Sequence, residues 1–78
     1  MNNKILVTIS IPLLDESYDI FIPVNKKVGT IKNTIIESIK NLQNKNYLLM
    51  NKDDCKIIDE NVYVKNSGIQ NGSKLILL

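Results

Sequence analysis

One stretch of the chain, from Val28 to Asn44, has the apolar periodicity of a helix, and no other stretch does. Its apolar residues recur at intervals of three and four, which gathers them into one stripe along about four helical turns. Thr30 is predicted to supply the N-cap oxygen. A chain of 78 residues with a single helix must build the rest of its core from strands. The apolar stripe consists of Val28, Ile31, Ile35, Ile39 and Leu42, and the exposed side is predicted to carry Lys32, Asn33, Glu37, Lys40, Asn41 and Asn44.

Two strands are predicted before the helix. Lys4 to Ile11 has a β-branched residue at every second position, which is the pattern of a strand with one buried face. Tyr18 to Val24 alternates in the same way. The residues between them, 12–17, include acidic and turn-forming side chains, so the two strands are predicted to form an antiparallel hairpin.

Three shorter strands are predicted after the helix. The first is Tyr47 to Asn51, the second is Lys56 to Ile58 at an edge of the sheet, and the third is Lys74 to Leu78, the most apolar of all. Asn71-Gly72, shortly before the last strand, is the strongest turn dipeptide in the chain. Gly68 is predicted to take a left-handed backbone conformation.

This order of elements, with a hairpin, a crossover helix and then a strand parallel to the first, indicates the β-grasp arrangement. A right-handed crossover places the helix over one face of the sheet. The last strand is predicted to lie centrally beside the first. The predicted fold class is α+β, with a mixed sheet of four to five strands and one helix packed across one face. Residues 1–78 are predicted to form a single domain, near the lower size at which one core suffices.

Composition and charge exclude several classes of function. Ten Lys and eight acidic residues give a net charge of +2 with no basic run, so no nucleic acid or anionic membrane is predicted as a partner. Ile5 to Leu14 imitates a short signal peptide, but polar residues interrupt it, and it falls far below the ~20 residues of a membrane span, so no membrane insertion is predicted. The lone Cys55 cannot form an internal disulfide and fits a reducing compartment. With neither a signal peptide nor a membrane span indicated, the protein is predicted to be soluble and cytoplasmic.

The chain resembles ubiquitin over nearly its whole length. The resemblance rests on the hairpin, on the helix start at Thr30-Ile31 and on the ending Ile69-Gln70…Leu75-Ile76-Leu77. More narrowly, Ser67 to Leu75 resembles the YukD/EsaB family, small ubiquitin-like proteins of bacterial type VII secretion loci, although Ser73 stands where that family usually has Asp. The resemblance implies an accessory or regulatory protein that docks onto another protein and is not an enzyme. Its expected partner is a cytoplasmic domain of the type VII secretion membrane machinery.

No catalytic, cofactor-binding or metal-binding residue is predicted. With no His and one Cys, the chain lacks the usual pairing of a nucleophile with a base and the four Cys of an iron–sulfur site. Ubiquitin-like carriers and modifiers need a flexible tail ending in Gly-Gly, and the sequence closes on Leu77-Leu78. The predicted protein is therefore not conjugated to targets. The alternative is a carrier or modifier whose Gly-Gly tail is missing from this chain, and an intact mass would separate the two.

A protein-binding surface is predicted on the side of the sheet away from the helix. Alternation turns one set of apolar side chains toward the helix and leaves a second set outside, and adjacent exposed apolar residues tend to mark a binding site. The alternatives for this face are packing in a weak homo-oligomer or partial cover by long Lys side chains. A third class of function is an RNA-binding β-grasp domain, whose affinity for RNA would fall steeply with salt. The predicted binding residues are Leu6, Phe21, Leu49, Ile76 and Leu78, with Met50 in place of Leu49 if the register of its strand is shifted.

Overall fold

The computed structural model describes residues 3–40, 42 and 46–78 of the chain. Within this part the chain forms five strands, one α-helix and two 3-10 turns. The strands are β1 (Lys4–Ile11), β2 (Glu16–Pro23), β3 (Leu49–Asn51), β4 (Lys56–Ile57) and β5 (Lys74–Leu77), the helix is α1 (Val28–Ser38), and the 3-10 turns are Pro12–Leu14 and Val64–Asn66.

The strands form one mixed sheet in the order β2-β1-β5-β3-β4. β1 pairs antiparallel with β2 and parallel with β5, and β3 pairs antiparallel with both β5 and β4. The predicted hairpin, the central position of the last strand beside the first and the edge position of β4 are confirmed. One prediction is wrong in detail. The strand that follows the helix, β3, is not parallel to the first strand, because β5 takes that pairing and β3 runs against it.

The core lies between α1 and one face of the sheet. Alternation along β1 buries Val7, Ile9 and Ile11, while Leu75 and Leu77 of β5 are buried on the same side. The predicted α+β fold, with one helix packed across one face of a mixed sheet, is confirmed. From the helix and the loops the core takes Val28, Ile31, Ile35, Tyr47, Ile58, Val64 and Ile69.

The helix is shorter than its sequence pattern indicates. It ends at Ser38, and Ile39 turns to an extended conformation with φ −99° and ψ 114°. Leu42 still packs against the core, as the apolar stripe predicted, although it does so from beyond the helix. Asn41 and Asn44, which were assigned to the exposed side, lie outside the described residues.

The prediction that Thr30 caps the helix is wrong. Lys27 is the N-cap residue, and its side chain makes no capping hydrogen bond. Instead, the N–H groups of Val28 and Gly29 donate to the carbonyl oxygens of Val62 and Glu60, at 2.9 and 3.0 Å. The loop before the last strand therefore satisfies the first donors of the helix, which need partners from outside the helix.

Lys32 was assigned to the exposed side of the helix, and this assignment is also wrong. The side chain is buried, and its Nζ donates to Glu60 Oε2 at 2.7 Å and to the carbonyl oxygen of Tyr47 at 2.8 Å. A charged side chain tolerates burial only when its charge is paired and its donors are bonded. The same loop that caps the helix therefore also supplies the carboxylate that holds Lys32.

The predicted turn at Asn71-Gly72 is confirmed, and its hydrogen bonds link the segment before β5 to β1. Gly72 has φ +87° and donates its N–H to the Leu6 carbonyl at 2.7 Å. The Asn71 side-chain oxygen accepts from the Leu6 N–H at 2.8 Å. The left-handed conformation predicted for Gly68 is confirmed by its φ of +88°.

Cys55 occupies an unfavourable backbone conformation in the turn between β3 and β4. Its φ is +58°, in the left-handed region, and its side chain is exposed. We expect Cys55→Gly to raise the free energy of unfolding by about 1 kcal/mol, because glycine adopts this conformation without the steric cost. Urea denaturation would measure the change, with Cys55→Ser as the control that keeps the backbone strain and stays within about 0.5 kcal/mol of the parent. A loss of stability in Cys55→Gly would contradict this account.

Candidate protein-binding face

The outer face of the sheet, away from α1, carries four of the five predicted binding residues. Side chains alternate between the two faces of a strand, so residues 6, 8 and 10 of β1 share the outer face while the odd-numbered ones enter the core. Leu6 lies opposite Phe21, which is 64% exposed. Ile76 is half-buried, and Leu78, just past the end of β5, is 52% exposed.

The fifth predicted residue, Leu49, is on the other face. Its side chain is only 1% exposed and lies in the core, opposite Leu77 across the β3–β5 pair. The next residue, Met50, is the one that faces outward, opposite Ile76. The prediction of Leu49 is therefore wrong and its alternative, Met50, is correct in placement. The register expected for this strand differs by one residue from its register in the structure. A difference of one residue moves every side chain of a strand to the opposite face.

A polar row divides the outer face into two apolar parts. Thr8 lies between Asp19 on β2 and Lys74 on β5. The Thr8 hydroxyl donates to the Asp19 carboxylate at 2.7 Å. On one side of this row lie Leu6 and Phe21, and Ile76 with its neighbours lies on the other. The structure therefore does not bring the predicted apolar residues into one continuous surface.

The larger apolar part is a group that we call the β3–β5 patch. Ile76, Met50 and Ile57 lie side by side on three adjacent strands, and Ile57 is 51% exposed. Leu48 and Leu78 continue the patch, because their backbones exchange two hydrogen bonds, at 2.9 and 2.8 Å, and their side chains are both about half exposed. The β3–β5 patch is defined as Leu48, Met50, Ile57, Ile76 and Leu78.

Leu13 is a further apolar residue beside the β3–β5 patch that sequence reasoning missed. It is exposed in the 3-10 turn between β1 and β2, and it borders a shallow pocket with Tyr47 and Leu78. Leu48 and Ile57 were missed as well. Leu13 lies in a segment that sequence reasoning treated only as a turn. The outward direction of Ile57 depends on a pairing with Met50 that no local pattern specifies.

In the part of the chain that the structure describes, no group of three or more Cys, Asp or Glu side chains is placed to hold a metal ion. The apolar side chains of the β3–β5 patch offer a surface that a partner could desolvate. Among residues 3–40, 42 and 46–78, no helix has the length and apolar character to cross a bilayer.

Comparison with solved structures shows a ubiquitin-like β-grasp fold. The ubiquitin-like domain of an Arabidopsis thaliana protein superimposes with a TM-score of 0.77 at 19% identity, over 99% of this chain and 78% of that one. A chain from a structure described as molecular mimicry of SUMO that promotes DNA repair gives a TM-score of 0.84 at 14% identity, over 100% of this chain and 94% of that one. These identities establish a shared fold only.

A third similar structure is a chain of the MycP5-free ESX-5 inner membrane complex. It gives a TM-score of 0.77 at 8% identity, and the match covers 99% of this chain but 21% of that one. No family model and no curated protein sequence matches the chain. The fold class is therefore established by structure, while the narrower resemblance of Ser67 to Leu75 stays a prediction.

Proposed function

We propose that this protein is a non-conjugated ubiquitin-like accessory or regulatory protein of a type VII secretion system. It acts without catalysis, by docking its outer sheet face onto a cytoplasmic domain of the membrane machinery. The observation that carries the proposal is the β3–β5 patch, where the half-buried Met50 and Ile76 lie beside the exposed Leu48, Ile57 and Leu78.

The β3–β5 patch has the composition of a protein-binding surface. Its five side chains are all apolar, and three of them, Leu48, Ile57 and Leu78, are at least half exposed. Contiguous exposed apolar surface on a small protein is costly in water and tends to be covered by a partner. Lys74 and Lys52 lie on the adjacent row and would form a polar rim.

The choice of partner rests on the resemblance of Ser67 to Leu75 to the YukD/EsaB family. The likeness of fold to a chain of the ESX-5 inner membrane complex is consistent with that choice, because a domain of this fold forms part of that complex. Leu6 and Phe21, across the polar row, would extend the contact if the partner spans Thr8.

We expect Ile57→Lys and Ile76→Lys to fold normally and to bind purified cytoplasmic domains of the type VII membrane complex at least about thirtyfold more weakly. A charge in the centre of a desolvated apolar contact removes an anchor and leaves an unpaired group. Leu6→Asp is expected to weaken binding only if the partner spans the polar row at Thr8, so this variant maps the extent of the contact. Isothermal titration calorimetry measures the affinities, and circular dichroism verifies the fold.

Lys40→Glu serves as the control, since Lys40 is exposed and follows shortly after the end of α1, the helix that packs on the other face of the sheet. Lys32 is unsuitable as a control because it is buried. If Lys40→Glu abolishes binding while Ile57→Lys and Ile76→Lys retain it, the partner docks on the helix side and the proposal fails.

A further inference from the structure

The turn that leads into β5 contains the one asparagine of the sequence that is followed by a glycine, Asn71-Gly72. Both residues are exposed to solvent. Asparagine is a chemically labile residue, and the group that attacks its side chain is the backbone nitrogen of the next residue. Glycine in that position leaves the backbone free to rotate, which brings this nitrogen within reach of the side chain. The local sequence therefore makes Asn71 the most reactive asparagine of the chain.

The reaction is a hydrolysis, and water is its only co-reactant. The Gly72 backbone nitrogen gives up its proton and forms a bond to the side-chain carbonyl carbon of Asn71. The bond from that carbon to the side-chain nitrogen breaks, and the nitrogen leaves with the proton as ammonia. The product is a cyclic imide. Water opens it at the side-chain carbonyl to give an aspartate, or at the main-chain carbonyl to give an isoaspartate.

In the folded protein both reacting groups are bound to Leu6 of β1. The Gly72 N–H donates to the Leu6 carbonyl at 2.7 Å, so the attacking nitrogen holds its proton in a hydrogen bond. The Asn71 side-chain oxygen accepts from the Leu6 N–H at 2.8 Å, which fixes the direction of the side chain. The nucleophile and the group that it attacks are therefore both restrained by the neighbouring strand.

The conformation of the turn also keeps the two reacting groups apart. The Ser73 N–H donates to the Gln70 carbonyl at 3.0 Å, which closes the turn. Gly72 has φ +87° while Asn71 has a negative φ, so the turn is of type II. The ψ of Asn71 in such a turn is about +120°, which rotates the Gly72 nitrogen roughly 120° away from the eclipsed position over Asn71 Cβ that ring closure requires.

We infer that Asn71 is a site of spontaneous deamidation, protected while β5 is paired with β1 and reactive toward water when that pairing is open. Opening breaks both bonds to Leu6 and releases the turn from its type II conformation. The reaction adds a negative charge and is irreversible, so it records the time that a chain has spent open. The inference does not rest on the proposed function.

The two products have different consequences for the fold. An aspartate at position 71 keeps an oxygen that accepts from the Leu6 N–H. An isoaspartate inserts an extra carbon into the main chain of the turn that sets the register of β5 against β1, where Lys74 lies opposite Thr8. Since register determines which side chains enter the core, the isoaspartate chain does not rebuild the native pairing.

The test follows deamidation over time in slightly alkaline buffer by tryptic peptide mapping with mass spectrometry. The reference is the acetylated and amidated peptide IQNGSK, which has the sequence of residues 69–74. In the folded protein Asn71 is expected to react at least about tenfold more slowly than in the peptide, because only the locally open state reacts. In denaturing urea the two rates should agree within about twofold. Asn66, which precedes Ser67 in the same tryptic fragment, is the internal control and should react more slowly than Asn71 in urea.

Ser73→Ala loosens the turn without changing the reacting pair. It removes the hydroxyl oxygen that accepts from the Gln70 N–H at 2.9 Å. We expect the variant to deamidate at Asn71 about threefold faster than the folded parent, or more, because loss of one hydrogen bond raises the population of the open turn. Ser38→Ala, which removes a hydroxyl bonded to the Thr34 carbonyl on α1, is the matched control and should keep the parental rate.

The products are tested by returning chains deamidated in urea to native buffer. Chains with an aspartate at position 71, like the variant Asn71→Asp, are expected to recover hydrogen-exchange protection of the Leu6 amide, and isoaspartate chains are not. A rate in the folded parent equal to that of the peptide overturns the proposal. A rate at Asn71 in urea no higher than at Asn66, or parental protection of Leu6 in isoaspartate chains, overturns it as well.

Discussion

Replacing Ile35 with Asp is expected to abolish the cooperative unfolding transition of this protein. Ile35 is buried in the centre of the face that α1 turns to the sheet. Loss of its packing alone costs about 2–5 kcal/mol, and the buried carboxylate adds to that. A chain of 78 residues has a total stability of roughly 4–12 kcal/mol, so the variant should be largely unfolded at room temperature. Circular dichroism during a thermal scan measures the outcome.

Asn33→Asp is the matched control for this prediction. It places the same carboxylate on the same helix, two residues away and exposed to solvent. Its free energy of unfolding should stay within about 0.5 kcal/mol of the parent. A sharp thermal transition near the parental temperature in Ile35→Asp would show that the buried face of the helix has been assigned wrongly.

The second large effect is expected at Glu60. The side chains of Lys32 and Glu60 are 11% and 35% exposed, and their charged atoms lie 2.7 Å apart. In Glu60→Ala the Lys32 ammonium stays buried. Of the two hydrogen-bond acceptors described above, it keeps the Tyr47 carbonyl and loses the Glu60 carboxylate. Removing one member of a buried pair costs about 3 kcal/mol or more, and the partial exposure of Glu60 places the expected loss at about 3 kcal/mol. Urea denaturation measures it.

The companion variant Lys32→Met tests whether the loss of stability in Glu60→Ala comes from the unpaired Lys32 charge. Methionine retains most of the apolar stem of lysine and removes the ammonium group, so the single variant should lose less stability than Glu60→Ala. The double variant Lys32→Met/Glu60→Ala should be no less stable than Glu60→Ala alone, because no buried charge is then left unpaired. Additive losses in the double variant would show that the ion pair is not the cause.

Features that depend on neighbours in sequence could be predicted, and features that depend on distant pairings could not. The bounds of β1, Lys4–Ile11, follow from an alternation that is visible within the strand itself. The left-handed Gly72 follows from a local turn dipeptide. Lys32 looked exposed because its partner, Glu60, lies 28 positions along the chain in a loop without periodicity. Leu49 was assigned to the wrong face because a three-residue strand carries too little pattern to fix its register.

The helix start shows the same limit. Sequence offered Thr30 as a cap, while the structure uses the Glu60 and Val62 carbonyls from a loop that follows β4. The binding face was predicted correctly at Leu6, Phe21, Ile76 and Leu78 as far as their placement is concerned. The polar row at Thr8 divides this face, and the apolar part on one side of the row extends to Ile57. Both features depend on strand register across the whole sheet. Whether that face binds a partner stays a prediction.

The parallel pairing of β1 with β5 has a consequence for folding during synthesis on the ribosome. The Leu6 N–H is bonded to a side chain 65 positions further along, so β1 leaves the exit tunnel long before its central neighbour is made. Until β5 has been made, only β2 can pair with β1. The other edge of β1 then has no partner strand and lies next to apolar side chains. Nascent chains in this state are prone to associate with one another. The formation of such distant contacts is also slow, so the pairing of β5 with β1 determines when this edge of β1 is no longer open to association.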